Sequence, residues 1–293
     1  MTVTIFTSTF NRAYVLPKLY DSLRAQTSKD FEWVIVDDGS TDETEALVDG
    51  WKSCDNGFDI IYEKKSNGGK HRAVNAGVKM ARGELFFIVD SDDHLTTDAV
   101  EKLISWLGEL DDSHKFAAVS GARGRDATTY IGGMFNGDGN FVDAKNTERE
   151  KYNLTGDKAE AYLTRVLKEY PFPEFEGENF VTEEVVWNAI AYDGYYVRWH
   201  KDIIYICDYL DDGLTKSGND KNRKNPQGIL CWSKMTVKCF PHDFKKKLHA
   251  AYCYYDACGG KKKAKEISKE IGLSKSFCRL AIFLGNAKRR LSH

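Results

Sequence analysis

The chain lacks a cysteine pattern that would indicate disulfide bonds or a cysteine-rich metal site. Its seven cysteines include no CxxC pair, and seven is an odd number. An odd count without metal-ligand spacing is typical of reduced intracellular thiols, not of a disulfide framework. We therefore predict a protein whose cysteines are free thiols.

Long apolar runs are also missing. No segment approaches the roughly 20 apolar residues that are needed to span a bilayer. The first residues, MTVTIFTSTFNR, lack the basic start and the apolar centre of a signal peptide. We expect a cytoplasmic protein, placed at the inner face of the plasma membrane if its tail binds lipid.

The sequence has neither a phosphate-binding P-loop nor a GxGxxG fingerprint, which disfavours a kinase or a dehydrogenase. It also has little net charge, −2 in total, but that charge is unevenly distributed. Residues 245–293 contain thirteen Lys or Arg residues and only three acidic ones. A strongly basic tail therefore follows a moderately acidic body.

Short β-branched and aromatic runs alternate with helical patterns over the first 125 residues. The predicted strands are 3–10, 31–37, 60–65, 85–90 and 116–122. Such alternation predicts an α/β fold with a mainly parallel, doubly wound sheet. We expect one domain over residues 1–225 and a basic, helical C-terminal region over residues 226–293.

The pattern is weaker after residue 125. Glycines indicate loops or a hairpin between about 123 and 156, and helices are predicted over 157–169 and 183–192. The Gly-, Asn- and Lys-rich stretch 213–226 has two interpretations. It is either a lid that closes over a ligand or a linker.

Polar clusters stand out in four places along the predicted sheet. They are Ser8-Thr9-Phe10-Asn11-Arg12, DDGSTD (37–42), NGGKHRAVNAG (67–77) and DSDD (90–93). Because loops at the carboxyl ends of parallel strands meet at one crevice, we expect all four to face the same pocket. Each cluster alone is compatible with a simple turn or helix cap, but four unrelated turns at one sheet edge are a poor explanation.

The acidic cluster DSDD indicates a cation. Three carboxylates within four residues repel one another. Magnesium typically binds one or two protein carboxylates together with substrate phosphates. We therefore predict that Asp92 or Asp93 holds Mg²⁺ or Mn²⁺ against a diphosphate.

The other clusters suit the remaining parts of a nucleotide. Lys70, with the neighbouring basic residues His71 and Arg72, would add positive charge and backbone N–H groups for phosphates at a helix start. Asp38 would accept a hydrogen bond from a base edge. Phe10 offers a flat face on which that base can stack.

In order and spacing, these clusters resemble the nucleotide-binding half of inverting glycosyltransferases of family 2, which have the GT-A fold. The segments that carry this likeness are TSTFNR (7–12), DDGSTD (37–42), NGGKHRAVNAGVKMARGE (67–84) and DSDD (90–93). Further on, GENFVTEEVVWNAIA (177–191) resembles the acceptor side of that family. YLDDGLT (209–215) is similar to a segment of bacterial members, some of which build surface polysaccharides.

The resemblance implies roles for individual residues. Three would contact the nucleobase, usually uracil: Ser8, Phe10 and Asp38. Asp90 and Asp92 would correspond to the acidic signature that holds ribose and metal, with Asp93 adjoining it. The pair Glu183-Glu184 would supply the catalytic base. Glu184 aligns with the usual base, but the family commonly has Asp there, so Glu183 stays open as well.

The resemblance also implies a reaction. A single displacement with inversion would move a sugar from a nucleotide-sugar donor, usually a UDP-sugar, to a hydroxyl of a glycan or lipid-linked glycan acceptor. Two other functions also place a nucleotide on an α/β sheet, a sugar nucleotidyltransferase and a non-catalytic nucleotide-binding scaffold with a helix-turn-helix-like tail. The nucleotidyltransferase would normally have a Gly-rich phosphate loop after its first strand, and TSTFNRAY has no glycine.

The basic tail allows three interpretations. Residues 264–282 have the outline of a DNA-binding helix-turn-helix, but the match is partial and no nucleic acid is expected. An apolar patch flanked by basic residues predicts an anionic membrane surface as a partner. The patch is Phe277, Leu280, Ala281, Phe283 and Leu284, and the flanking residues are Arg279, Lys288, Arg289 and Arg290. The third interpretation is a basic helix packed on the core.

Overall fold

The computed structural model of the protein describes residues 1–208 and 218–291. The chain divides into two compact units. The first comprises Met1–Pro171 and Asp193–Leu210, and the second comprises Phe172–Tyr192 and Asp211–His293. The expected domain boundary between residues 225 and 226 stays a prediction.

The first unit is built on a single mixed β-sheet. Its strands are β1 (Val3–Thr9), β2 (Phe31–Asp37), β3 (Asp59–Lys64), β4 (Leu85–Ile88), β5 (His94–Leu95), β6 (Phe116–Gly124), β7 (Phe141–Ala144), β8 (Lys158–Leu163) and β9 (Tyr196–Ile206). They follow the order β3-β2-β1-β4-β8-β6-β9-β5, and β7 pairs with β9. The predicted α/β class is thereby confirmed.

Strand direction decides where the polar clusters lie. β1 is parallel to both β2 and β4, and β2 is parallel to β3. β8 is antiparallel to β4 and to β6, so β4 and β6 run in the same direction. The carboxyl ends of β1, β2, β4 and β6 therefore lie at one edge of the sheet, which is where ligands bind in open α/β sheets.

The helices of the first unit connect and cover these strands. They are α1 (Leu16–Arg24), α2 (Thr44–Lys52), α3 (Lys70–Met80), α4 (Ala99–Gly108), α5 (Thr164–Glu169) and a 3₁₀ helix, Asn146–Tyr152. All seven residues of β2 are buried, as expected for a central strand covered on both faces. Helix α3 packs very closely on β1, because a Cβ added at Gly77 would lie 2.3 Å from the ring of Phe6. That contact holds the second half of α3 against the middle of β1.

One predicted helix is partly wrong. Within the expected helix 157–169, residues Lys158–Leu163 form β8, and only Thr164–Glu169 is helical. Ala159, Glu160 and Ala161 have helical or neutral propensity, which favoured the helix. In the fold this segment lies between β4 and β6, and pairing on both sides outweighs a weak local preference.

The second unit is helical in its described part. It contains α6 (Glu184–Tyr192), α7 (Gly218–Lys224), α8 (Pro226–Cys239), α9 (Phe244–Ala257), α10 (Ala264–Ile271) and α11 (Lys275–Leu291). The predicted helical character of the basic tail is therefore confirmed. Within residues 1–208 and 218–291, no helix is long and apolar enough to cross a membrane. All seven cysteines are free thiols.

The predicted lid or linker 213–226 falls only partly on this description. Residues 218–224 form α7, and residue 226 begins α8. Residues 213–217 of this segment, and the whole YLDDGLT motif (209–215), lie outside the described residues.

Candidate functional site

The first two polar clusters are hydrogen-bonded to each other. Asn11 has a positive φ of 53°, a conformation that Asn tolerates better than most residues. Its backbone N–H donates to Ser40 Oγ at 2.8 Å, and its side-chain Oδ1 accepts from the N–H of Thr41 at 2.8 Å. The turn after β1 therefore holds the turn after β2 in place.

Asp38 connects the second cluster to the third. The buried carboxylate of Asp38 accepts hydrogen bonds from the N–H groups of Gly68 and Gly69, both at 2.8 Å. Burial raises the pKa of Asp38, and the two amide hydrogen bonds oppose that rise. A Cβ added at Gly39, which has a φ of +93°, would lie 3.0 Å from the backbone N of Asn67, so this tight approach requires glycine.

Lys70 connects the third cluster to the fourth. Its Nζ lies 2.6 Å from Asp90 Oδ1, and Arg123 Nη1 lies 3.7 Å from the other oxygen of Asp90. Burial alone would raise the pKa of Asp90, but attraction to Lys70 and Arg123 outweighs it and lowers that pKa to about 2. Asp90 is thus a carboxylate whose charge is balanced within the site.

Asp93 is held by the protein on both of its oxygens. Tyr205 Oη donates to Asp93 Oδ2 at 2.7 Å, and the N–H of Asp208 donates to Asp93 Oδ1 at 2.9 Å. Tyr205 Oη also accepts from the N–H of Asp90 at 2.9 Å. Burial, together with repulsion from Asp90, raises the pKa of Asp93 to about 6.

Asp92 is half-buried, and its electrostatic surroundings are different. Burial raises the pKa of Asp92 and the charge of Asp90 raises it further, while Arg12 and Lys70 oppose the rise. A cation placed beside Asp92 would stabilise the ionised form of this carboxylate.

A metal at this place would need ligands from the substrate. In the part of the chain that the structure describes, no group of three or more His, Cys, Asp or Glu side chains could hold a metal ion. Magnesium needs only one or two protein carboxylates when substrate phosphates complete its coordination shell. Asp92 therefore fits a metal that is shared with a diphosphate, since residues 1–208 and 218–291 do not supply a complete set of metal ligands of their own.

The remaining residues predicted in the first cluster differ in accessibility. The ring of Phe10 is 46% exposed, whereas the side chain of Thr9 is 1% exposed and buried within the sheet. Ser8 and Arg12 are half-buried. The carbonyl of Thr9 accepts from the N–H of Asp38 at 2.8 Å, so the contribution of Thr9 is made through its backbone.

Two residues of this network were not predicted from the sequence. Arg123 directly follows the predicted strand 116–122, so the same rule about carboxyl ends of strands would have found it. Tyr205 lies on β9, which the sequence analysis did not predict. The guanidinium of Arg123 stacks over the ring of Tyr205 at 4.2 Å, so the two side chains support each other beneath the acidic cluster.

The predicted acidic pair belongs to the second unit. Glu184 is the first residue of α6, and its side chain is exposed, whereas Glu183 is half-buried. Trp232 Nε1 on α8 donates a hydrogen bond to Glu184 Oε2 at 2.5 Å. That bond orients the carboxylate through one of its two oxygens. No pattern in the sequence indicates this role of Trp232.

The family model that matches this chain is that of glycosyl transferase family 2, over residues 4–167, which is more than half of the chain. Glycosyltransferase GlyG of Streptococcus pneumoniae is 29% identical over 142 residues, which cover 47% of this chain and 42% of that protein. Putative glycosyltransferase EpsH of Bacillus subtilis is 31% identical over 110 residues, which cover 38% of this chain and 31% of that protein. The match thus spans less than half the length of these relatives.

Solved structures with the same fold include two ligand complexes. S. aureus TarS 1-349 in complex with UDP-GlcNAc superposes with a TM-score of 0.66 at 16% identity, covering 97% of this chain and 89% of that one. The mannosyltransferase PcManGT from Pyrobaculum calidifontis in complex with GDP-Man and Mn²⁺ gives a TM-score of 0.56 at 20% identity, covering 97% and 75%. At these identities the likeness concerns the fold.

Proposed function

The chain belongs to glycosyl transferase family 2, and from this premise we propose that it is an inverting glycosyltransferase. It moves a sugar from a nucleotide-sugar donor to a hydroxyl of a glycan or lipid-linked glycan acceptor. The observation that carries this proposal is the hydrogen-bonded chain of four polar clusters at one sheet edge. It runs from Asn11 through the DDGSTD turn (37–42) and Asp38 to Lys70 and Asp90.

The nucleoside lies against the first two clusters in this proposal. The exposed ring of Phe10 stacks on the base, beside Ser8. A carboxylate has about four lone-pair sites, so Asp38 can accept from a base N–H while it holds Gly68 and Gly69. Uracil is the base we propose, as the family resemblance implies. The complex of TarS contains UDP-GlcNAc and that of PcManGT contains GDP-Man, so the comparison supports a nucleotide-sugar donor for either base.

The diphosphate lies against the third and fourth clusters. Asp92 would hold Mg²⁺ or Mn²⁺ jointly with the donor phosphates, and the presence of Mn²⁺ together with GDP-Man in the PcManGT complex supports such a metal. When bound, that metal supplies Lewis acidity to the leaving diphosphate. Lys70 and Arg12 contribute positive charge near the phosphates. Asp90 binds the ribose, and Asp93 positions the acidic loop through Tyr205 instead of binding the metal directly.

Proton transfer is assigned to the acidic pair on the second unit. The acceptor hydroxyl gives its proton to Oε1 of Glu184, whose other oxygen is held by Trp232. The hydroxyl oxygen forms a bond to the anomeric carbon as the bond from that carbon to the diphosphate breaks on the opposite face. The products are the inverted glycoside, the nucleoside diphosphate and a protonated carboxyl group. Glu183 is the alternative base.

Titration calorimetry tests the nucleotide site directly. We expect UDP to bind more tightly with Mn²⁺ than without it, and more tightly than GDP. A donor panel then shows turnover by release of UDP. Release of pyrophosphate from UTP and a sugar 1-phosphate would instead identify a nucleotidyltransferase, and nucleotide binding without turnover in either assay would favour a scaffold. If no nucleoside diphosphate binds with or without metal, the proposal is wrong.

A further inference from the structure

Helix α11 has an apolar inner face that packs inside the helical unit. Cys278 and Ala281 are buried there, in one cluster with residues of α8, α9 and α10. A Cβ added at Gly285 would lie 2.1 Å from the ring of Tyr252, which shows how closely α11 approaches α9. Ala281, predicted to be part of an exposed patch, therefore belongs to the core of this unit. Arg289 is exposed but is paired on the side of α9, with Nη1 3.2 Å from Asp256.

The same helix has a second apolar face, and it is exposed. Leu280, Phe283 and Leu284 are 40%, 69% and 44% exposed, and they recur at the spacing of three and four residues that places them on one side of a helix. We call these three residues the outer face of α11. Phe244, 52% exposed, extends it through an edge contact between its ring and that of Phe277.

A soluble helix usually has one apolar stripe, because the opposite side faces water. The inner face of α11 already meets the packing requirement of the fold. Large side chains such as Phe283 therefore have no folding role that would account for their presence on the outside. A contiguous exposed apolar surface of this kind marks an interaction site.

The charges around the outer face indicate what covers it. An α-helix turns by about 100° per residue, and this rotation gives the positions of the basic residues around α11. Exposed Arg279 and Arg290 lie along one side of the outer face, and Lys288 lies along the other. The sequence of Lys275–Leu291 contains no Asp or Glu. A second copy of the chain would bring the same positive charges to the contact, and like charges facing each other are unfavourable. An anionic lipid surface offers an apolar interior and complementary charge together.

We propose that the outer face of α11 docks on an anionic lipid bilayer, with the helix lying in the plane of the interface. Leu280, Phe283 and Leu284 enter the boundary between headgroups and acyl chains. The bordering basic side chains contact the headgroup phosphates. This docking goes beyond the proposed transfer reaction and does not depend on it, because binding to lipid requires neither donor nor acceptor.

Vesicle flotation of the full chain tests the proposal. We expect the protein to float with vesicles of phosphatidylcholine and phosphatidylglycerol, to stay unbound with phosphatidylcholine alone, and to be released by high salt. Equal recovery with both kinds of vesicle, or no flotation with either, would overturn the proposal.

Two double variants separate the apolar and the electrostatic contributions. Phe283→Ser with Leu284→Ser should reduce the bound fraction about tenfold, because the apolar anchor is lost while the charges remain. The double variant Arg279→Glu with Arg290→Glu should reduce the bound fraction by about tenfold or more. The matched control for charge is Lys79→Glu with Lys168→Glu. Both lysines are exposed and lie outside α11, so this control should bind like the wild type.

Two further measurements keep the outcome interpretable. Thermal unfolding should be nearly unchanged in all variants, since each altered side chain is exposed, and UDP affinity should be retained. If the wild type sediments as a dimer and Phe283→Ser with Leu284→Ser makes it monomeric, the outer face is a contact between copies and the lipid proposal fails. Flotation tests only the outer face of α11, whereas UDP affinity tests only the nucleotide site. Failure of the lipid proposal can therefore be distinguished from failure of the proposed function.

Discussion

Tyr205 is the residue whose removal should best reveal how the acidic cluster is supported. Tyr205→Phe keeps the ring and therefore its stacking with Arg123, and it deletes one hydroxyl. That hydroxyl serves two buried groups, the N–H of Asp90 and Oδ2 of Asp93. Each buried group left without a partner costs about 1–3 kcal/mol. With two groups affected, we expect a total destabilisation of about 2–6 kcal/mol, a large share of the roughly 5–15 kcal/mol typical of a folded protein.

Urea denaturation followed by circular dichroism measures this loss. The matched control is Tyr170→Phe, which deletes a hydroxyl that donates to Asp193 Oδ2 at 2.7 Å in an exposed setting. Water can replace that bond, so the control should lose less than about 1 kcal/mol. In the site variant, UDP affinity with Mn²⁺ should fall as well, because the DSDD loop is no longer held. Equal stability of Tyr205→Phe and wild type would refute the reasoning.

Three further predictions address the metal, the base and pH. Asp92→Asn should abolish the gain in UDP affinity that Mn²⁺ provides while leaving the melting temperature nearly unchanged; an undiminished gain would remove Asp92 from the metal site. Glu184→Gln should lower kcat about 10²–10⁴-fold, because the base is lost. Trp232→Phe should lower kcat less, since the carboxylate remains but is less well oriented. A larger loss of kcat from Glu183→Gln than from Glu184→Gln would identify Glu183 as the base. Burial lowers the pKa of His200 to about 4. Because the folded state favours the neutral imidazole, the contribution of His200 to the free energy of unfolding is full above the ordinary pKa of 6.5 and is lost as the pH falls toward 4. His200→Phe should abolish this loss of about 3 kcal/mol in the free energy of unfolding, as measured by denaturation curves at several pH values. The same pH profile in the variant and the wild type would contradict this prediction.

The strands that the sequence predicted best are those buried on both faces. Phe31–Asp37 was predicted with its observed bounds, because a short, continuous apolar run bounded by polar residues has few other interpretations. The strand Lys158–Leu163 was missed, since Ala and Glu favour a helix locally and only its two neighbouring strands make it extended. Tyr196–Ile206 includes Arg198, His200 and Lys201, and these polar residues interrupt the apolar pattern on which strand prediction depends.

The site was predictable to the extent that topology brings strand ends together. The rule that carboxyl ends of parallel strands share one edge was enough to group Asn11, Asp38, Lys70 and Asp90. It does not say which donors and acceptors pair. The hydrogen bonds from the N–H groups of Gly68 and Gly69 to Asp38 depend on how the turn closes, and the role of Tyr205 depends on a strand from a distant part of the sequence. Such pairings follow from three-dimensional packing and leave no local pattern.

The sequence predicts that the negative charge of DSDD requires a cation, and in the structure the three carboxylates differ in how far the protein itself compensates that charge. Asp90 is compensated by Lys70 and Arg123, and Asp93 is held by Tyr205 and a backbone N–H. Asp92 is the carboxylate for which burial and the charge of Asp90 still oppose ionisation. A bound cation would therefore gain most from Asp92, while its two neighbours fix the loop from which Asp92 projects. This division predicts that Asp93→Asn weakens nucleotide binding through loss of stability, whereas Asp92→Asn weakens it through loss of the metal.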